Sequence, residues 1–238
     1  MRLLTVIPAR GGSKGLPGKN TRPLAGLPLL AHSIRCARLA GLIDVIVSTD
    51  SPEIADVAHA HGAAVPFMRP HELATDAAAM MPVIEHALLE MESRAGERFD
   101  RVLLLDPTSP GRLPSDIEAA HRILDGDDAA MGVVAVSRPH FNPYWVGVTP
   151  IDGAMQPAFP EQARAARRQD LPAFFRINGS LYLWRRDYVV SRSHWSEVRI
   201  LPYEIPESRA FSIDTLEEFE MAEWLLTTGR LELPWLQR

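Results

Sequence analysis

Residues 8–20 read Pro-Ala-Arg-Gly-Gly-Ser-Lys-Gly-Leu-Pro-Gly-Lys-Asn, which sets four glycines and three cations directly after the apolar run 3–7. Glycine lets the backbone turn its N–H groups toward an anion with no Cβ in the way, and Arg10, Lys14 and Lys19 supply the charge that a triphosphate needs. The stretch is a phosphate cradle, and it points to a nucleotide substrate. Two better-known loops do not fit it. A Walker A loop requires Ser or Thr after Gly-Lys and a glycine five residues before, but Gly18-Lys19 is followed by Asn20 and preceded at that distance by Ser13. The dinucleotide fingerprint requires Gly-x-Gly-x-x-Gly, whereas the glycines here stand at 11, 12, 15 and 18, and Pro17 and Pro23 oppose immediate helix formation.

The elements that must position this loop follow from the hydrophobic pattern. Short apolar runs at 3–8, 44–49, 64–69, 101–106 and 131–137 read as strands. Helical spacing at 28–40, 52–61, 81–91, 115–124 and 216–226 separates or follows them. Continuous apolar strands alternating with helices predict an α/β fold with a mostly parallel, Rossmann-like sheet covered on both faces. The ligand crevice of such a sheet lies beyond the carboxyl ends of its strands. Arg10, Asp50, Arg69 and Asp106 all fall at such ends. Residues 138–175 break the alternation with prolines, arginines and aromatics, and read as an arm inserted into a single domain spanning 1–238.

With 238 residues and 46% hydrophobic content the chain can bury a sizeable core, and a net charge of −5 makes nucleic acid a poor partner. The one cysteine, Cys36, sits in an apolar helical run and reads as a buried thiol. No apolar run has the length of a signal core or a membrane span, so a soluble cytoplasmic enzyme without a membrane partner is expected.

The loop and five further stretches resemble, in order, the motifs of the CMP-sugar-acid synthetases, the cytidylyltransferases that activate sialic acid and related nonulosonic acids. These are Val47-Ser48-Thr49-Asp50, Arg69-Pro70-x-Glu72-Leu73-Ala74-x-Asp76, Asp106-Pro107-Thr108-Ser109-Pro110-x-Arg112, Arg176-x-Asn178-Gly179-x-x-Tyr182 and Ile213-Asp214-Thr215. The resemblance implies transfer of CMP from CTP with Mg²⁺ as cofactor, and a homodimer whose 138–175 arm lends residues to the neighbouring site. By the same resemblance Arg10 and Lys19 act on the phosphates, helped by Ala9, Gly12, Ser13 and Lys14. Asn20, Arg69 and Ala78 read base and ribose, while Asp106, Arg168, Arg176, Asn178 and Tyr182 hold the acceptor. Asp214, at the end of a late strand, is the metal carboxylate. A guanidinium fork matches a carboxylate, which suits Arg168 and Arg176 to a sugar acid.

Blander readings stand beside these: an Arg69–Glu72 surface pair, solvated charge at Arg167 and Arg168, and Asp214 as a helix cap. Two positions depart from the sialic acid synthetases. Ser212 stands where they have the first aspartate of Asp-Ile-Asp, so a hydroxyl that can position water replaces a metal carboxylate. Asp106 stands where they commonly have Gln, which, with Asn142-Pro143-Tyr144-Trp145, resembles the legionaminic-type branch. A sugar 1-phosphate nucleotidyltransferase and a non-catalytic nucleotide-binding protein are the competing functions.

Overall fold

Side chains on a strand alternate between its two faces, and the apolar strands of this chain therefore feed two separate cores. The computed structural model describes residues 1–165 and 167–236, with Arg168 by its backbone only. Its elements begin with β1 (Leu3–Pro8), the short hairpin β2 (Pro23–Leu24) and β3 (Leu27–Pro28), α1 (Leu29–Leu39), β4 (Asp44–Ser48) and α2 (Pro52–Ala60). They continue with α3 (Met80–Ala95), β5 (Arg101–Leu104), α4 (Pro114–Asp125), β6 (Gly132–Ser137), α5 (Pro143–Val146), β7 (Val148–Ile151) and β8 (Ala154–Pro157). The last are β9 (Arg176–Arg185), α6 (Arg186–Ser191), β10 (Ile200–Glu204) and α7 (Leu216–Thr227).

Six strands form one sheet in the order β10-β6-β9-β5-β1-β4. Ile7, Val45, Val47, Leu103, Leu181 and Leu183 pack with α1, α4 and α7 on one face. Leu4, Val6, Ile46, Val102, Leu104 and Trp184 pack with α3 and α6 on the other. β1 lies parallel to β4 and β5, and β6 parallel to β10. β9 runs antiparallel to both β5 and β6, which makes the sheet mostly rather than wholly parallel. This reversal places the first residues of β9 at the same edge as the ends of β1, β4 and β5.

Residues 64–69, expected as a strand, make only isolated bridges, Ala64 with Ile46 and Met68 with Thr49. Pro66 and Pro70 have no N–H to offer a ladder. Asp214 does not end a strand either; it lies between β10 and α7, where the Ile213 N–H is held by the Thr108 carbonyl at 2.8 Å. The 138–175 segment contains α5 and the hairpin β7–β8, whose turn at Asp152 and Gly153 takes φ of 50° and 79°. Every residue of that hairpin is exposed. Among the described residues no helix is long and apolar enough to cross a membrane.

Asp116, only 2% exposed, ties α4 to the end of the sheet. It accepts hydrogen bonds from Arg209 at 2.6 Å, the Leu113 N–H at 2.6 Å and the Tyr203 hydroxyl at 2.8 Å. Burial pushes its carboxyl up, but these donors outweigh burial and hold it below the usual carboxylate range. Its contribution is fully present above the unfolded pKa of about 3.9 and is lost as pH falls through the lower folded value. Asp116→Ala leaves the Arg209 guanidinium and the Tyr203 hydroxyl without that partner. The expected loss is about 3–5 kcal/mol, read from the urea midpoint, and an unchanged midpoint would show that the cluster carries no stability.

Candidate active site

The phosphate loop leaves β1 and turns back through Gly18, whose φ of +65° suits glycine. It is pressed against the segment before α7, because a Cβ on Gly15 would stand 2.3 Å from the Asp214 carbonyl oxygen. The contact brings Lys19, 7% exposed, to Asp214, with Nζ 2.7 Å from Oδ1. Burial raises the Asp214 carboxyl, while Lys19 and then Ser212 pull it below its ordinary value. Asp214 is not the helix cap: Thr215 caps α7 through the Glu218 N–H at 3.3 Å, and Glu218 accepts from the Asp214 N–H at 2.8 Å.

From Asp214 a line of polar groups crosses the crevice. The Ser212 hydroxyl lies 3.2 Å from Asp214 Oδ2 and 3.0 Å from the Thr108 hydroxyl, which lies 2.8 Å from Asp106 Oδ1. Two hydroxyls carry two protons for three contacts: Thr108 donates to Asp106 Oδ1, which also accepts the Thr108 N–H at 2.9 Å, and Ser212 donates to Asp214 or to the Thr108 hydroxyl. Arg10, Ser13, Lys14, Lys19, Asn20 and Asp214 line one cleft of about 290 Å³, together with Arg69, Met80 and Asp106. Asn20 is 6% exposed; its Nδ2 donates to the Arg10 carbonyl at 3.1 Å, and its buried Oδ1 has no protein partner. An unpaired acceptor there is suited to a ligand donor.

Met80 and Asp106 also line a second pocket of about 260 Å³, walled by Leu104, Val134, Tyr182, Trp184, Trp195 and Ile200. The Tyr182 hydroxyl is pushed up by burial and by Asp106. Among the described residues no lysine or arginine lines this pocket. The sequence motifs include Asp106 and Tyr182 of this pocket, whereas its apolar walls Trp184, Trp195 and Ile200 belong to none of them.

Other expected site residues are held by protein partners, at the cleft wall or away from it. Arg69 is 6% exposed and donates to the Ser48 hydroxyl at 3.1 Å, the Ser48 carbonyl and the Leu73 carbonyl rather than to Glu72. Burial lowers its pKa to about 10. It therefore braces the 70–79 loop while reaching the cleft wall. The Ala9 N–H is spent on the Ser48 carbonyl and the Ala78 N–H on Thr75, while Gly12 has open space around it. Arg176, expected to hold the acceptor, does not reach either cleft; it lies 3.1 Å from Glu207 and 2.6 Å from the Ala210 carbonyl, bracing the turn that leads to Asp214. Asn178 is buried, with Oδ1 on the Ser180 N–H at 3.1 Å and Nδ2 without a protein partner. The Arg168 side chain lies outside the described residues.

Among the described residues no three His, Cys, Asp or Glu side chains gather as a metal cage. Asp214 beside Ser212 offers hard oxygen donors at the cleft, a set that fits Mg²⁺ completed by phosphate and water oxygens.

Residues 4–131 match a family model described as cytidylyltransferase. The chain is 38% identical to the CMP-N,N'-diacetyllegionaminic acid synthase of Legionella pneumophila, over 98% of this chain and 97% of that one. It is 30% identical to the pseudaminic acid cytidylyltransferase of Campylobacter jejuni, over 94% of this chain and 96% of that one. A solved CMP:2-keto-3-deoxy-manno-octonic acid synthetase complexed with CTP shares the fold with a TM-score of 0.74 at 20% identity, covering 96% of this chain and all of that one.

Lys19 accounts for the low Asp214 value, so Lys19→Met should move the carboxyl titration upward, toward or above the ordinary aspartate range. Carboxyl carbon NMR across an acid titration reads this directly. An unchanged midpoint would show that the ammonium is not what holds Asp214 ionised.

Proposed function

Because this chain belongs to the cytidylyltransferase family, we propose that it transfers CMP from CTP to a nonulosonic acid of the legionaminic and sialic type, releasing pyrophosphate. The observation that carries this reading is the single cleft where Arg10, Ser13, Lys14, Lys19 and Asp214 converge, joined through Asp106 to an apolar pocket.

In the reaction a sugar hydroxyl attacks the α-phosphorus and the bond to the β-phosphate breaks, so negative charge grows on phosphoryl oxygens. Arg10 and Lys14, both partly exposed at the mouth, take the triphosphate tail. Lys19, nearly dry, acts more strongly because little water screens it. Asn20 offers its unpaired oxygen to a nucleoside donor, and Arg69 holds the neighbouring loop in place. Asp214 and Ser212 would hold Mg²⁺ with the phosphates, where it would supply charge to offset that of the phosphoryl oxygens. Arg168, Asn178 and Tyr182 take the acceptor, with Asp106 between it and the nucleotide. The apolar walls of the second pocket suit the acyl or deoxy carbons of such a sugar. The buried Cys36 thiol, pushed up to about 12 by burial, stays protonated and unreactive, as suits the cytoplasm.

CTP, Mg²⁺ and a panel of sugar acids should yield a CMP adduct by mass together with pyrophosphate, and Arg10→Ala should cut turnover by roughly a hundredfold or more. A diphosphate product formed only from sugar 1-phosphates, or no turnover with any acceptor, would overturn the reading.

The same reading makes the protein a homodimer through the 138–175 arm, supported by Phe141, Trp145, Val146 and Met155, all at least 43% exposed. Sedimentation velocity should show a dimer that Phe141→Glu with Met155→Glu converts to monomer, whereas a wild-type monomer would refute it.

A further inference from the structure

Two cations of the phosphate loop are already engaged by a carboxylate that has no role in the reaction described above. Arg10 Nη1 lies 2.5 Å from Asp76 Oδ1, and Lys14 Nζ lies 2.5 Å from Asp76 Oδ2. One oxygen meets each cation. This is the pattern in which two nonbridging oxygens of a phosphoryl group would be gripped, and both cations line the cleft. Asp76 comes from the 70–79 segment, between the turn His71–Leu73, to which Arg69 is bonded, and Met80, which lines the cleft at the start of α3.

We infer that Asp76 is a positioning residue that stands in for a phosphoryl group of the nucleotide: it holds Arg10 and Lys14 in the spread that grips phosphate and is displaced when the triphosphate arrives. This rests on the proposed nucleotide reaction. Three features make the exchange feasible. Asp76 is 39% exposed, Arg10 33% and Lys14 82%, so water screens the pairs and they yield readily to a more highly charged anion. The 74–79 stretch has only turn structure and can move without breaking a strand or helix. The Lys14 and Arg10 hydrogen bonds also lower the Asp76 carboxyl below its ordinary value, so it is a full anion, like the phosphate it replaces. The consequence is a competition: a neutral residue at 76 should leave the two cations more available to phosphate.

The test measures binding without turnover, by calorimetry on the full chain with inorganic tripolyphosphate and with CTP. Asp76→Asn should bind tripolyphosphate about three- to tenfold more tightly than wild type, and Asp76→Glu, which keeps the charge, should bind like wild type. In a Lys14→Met background the gain from Asp76→Asn should shrink, because one of the two freed cations is gone. A carboxylate that only braced the loop would give the opposite sign. Unchanged or weaker binding by Asp76→Asn, with wild type binding CTP normally, overturns this inference and leaves the cytidylyl-transfer reading intact. Failure of wild type to bind either ligand overturns both.

Discussion

An ammonium almost wholly removed from water needs an anion beside it, and for Lys19 that anion comes from 195 residues further along the chain. The pair draws the segment before α7 over the phosphate loop until Gly15 has no room for a Cβ. The rest of the cleft follows from that closure. Ser212 is brought to Thr108, Thr108 to Asp106, and Asp106 to the boundary between a charged cleft and an apolar pocket. Further supports converge on the same segment: Arg176 on Glu207 and Ala210, and Arg209 on Asp116.

The reversal of β9 has a comparable reach. In a wholly parallel sheet its first residues would sit at the far edge, away from the loops that follow β1 and β5. Running antiparallel between β5 and β6, it delivers Ile177 and Tyr182 to the apolar pocket. Arg112, fully buried, holds the arrangement by donating to the Asp106 and Ser180 carbonyls and to the Ser33 hydroxyl. Such a guanidinium is tolerated inside a protein because carbonyl oxygens replace its water.

The two pockets divide the chemistry by dielectric and charge. Arg10, Lys14 and Lys19 surround the space where phosphate charge would change, and among the described residues no cation lines the aromatic pocket beyond Asp106. A substrate crossing from one to the other meets cations at one end and apolar walls at the other. Such walls suit the acyl carbons of an activated acylated sugar.

The sequence by itself determined the features that depend on local covalent geometry. Glycine spacing marked the phosphate loop, apolar runs marked β1, β4, β5 and β6, and the order of motifs marked the family. These signals are legible because backbone freedom and side-chain periodicity act over a few residues. Only the tertiary structure decided partnership. It paired Arg176 with Glu207, turned Arg69 onto Ser48, closed Asp76 on Arg10 and Lys14, and left the cap of α7 to Thr215 while Asp214 met Lys19. A charged side chain takes whichever opposite charge the topology brings within about 4 Å, and that proximity is set by sheet order and strand direction, which no local pattern encodes.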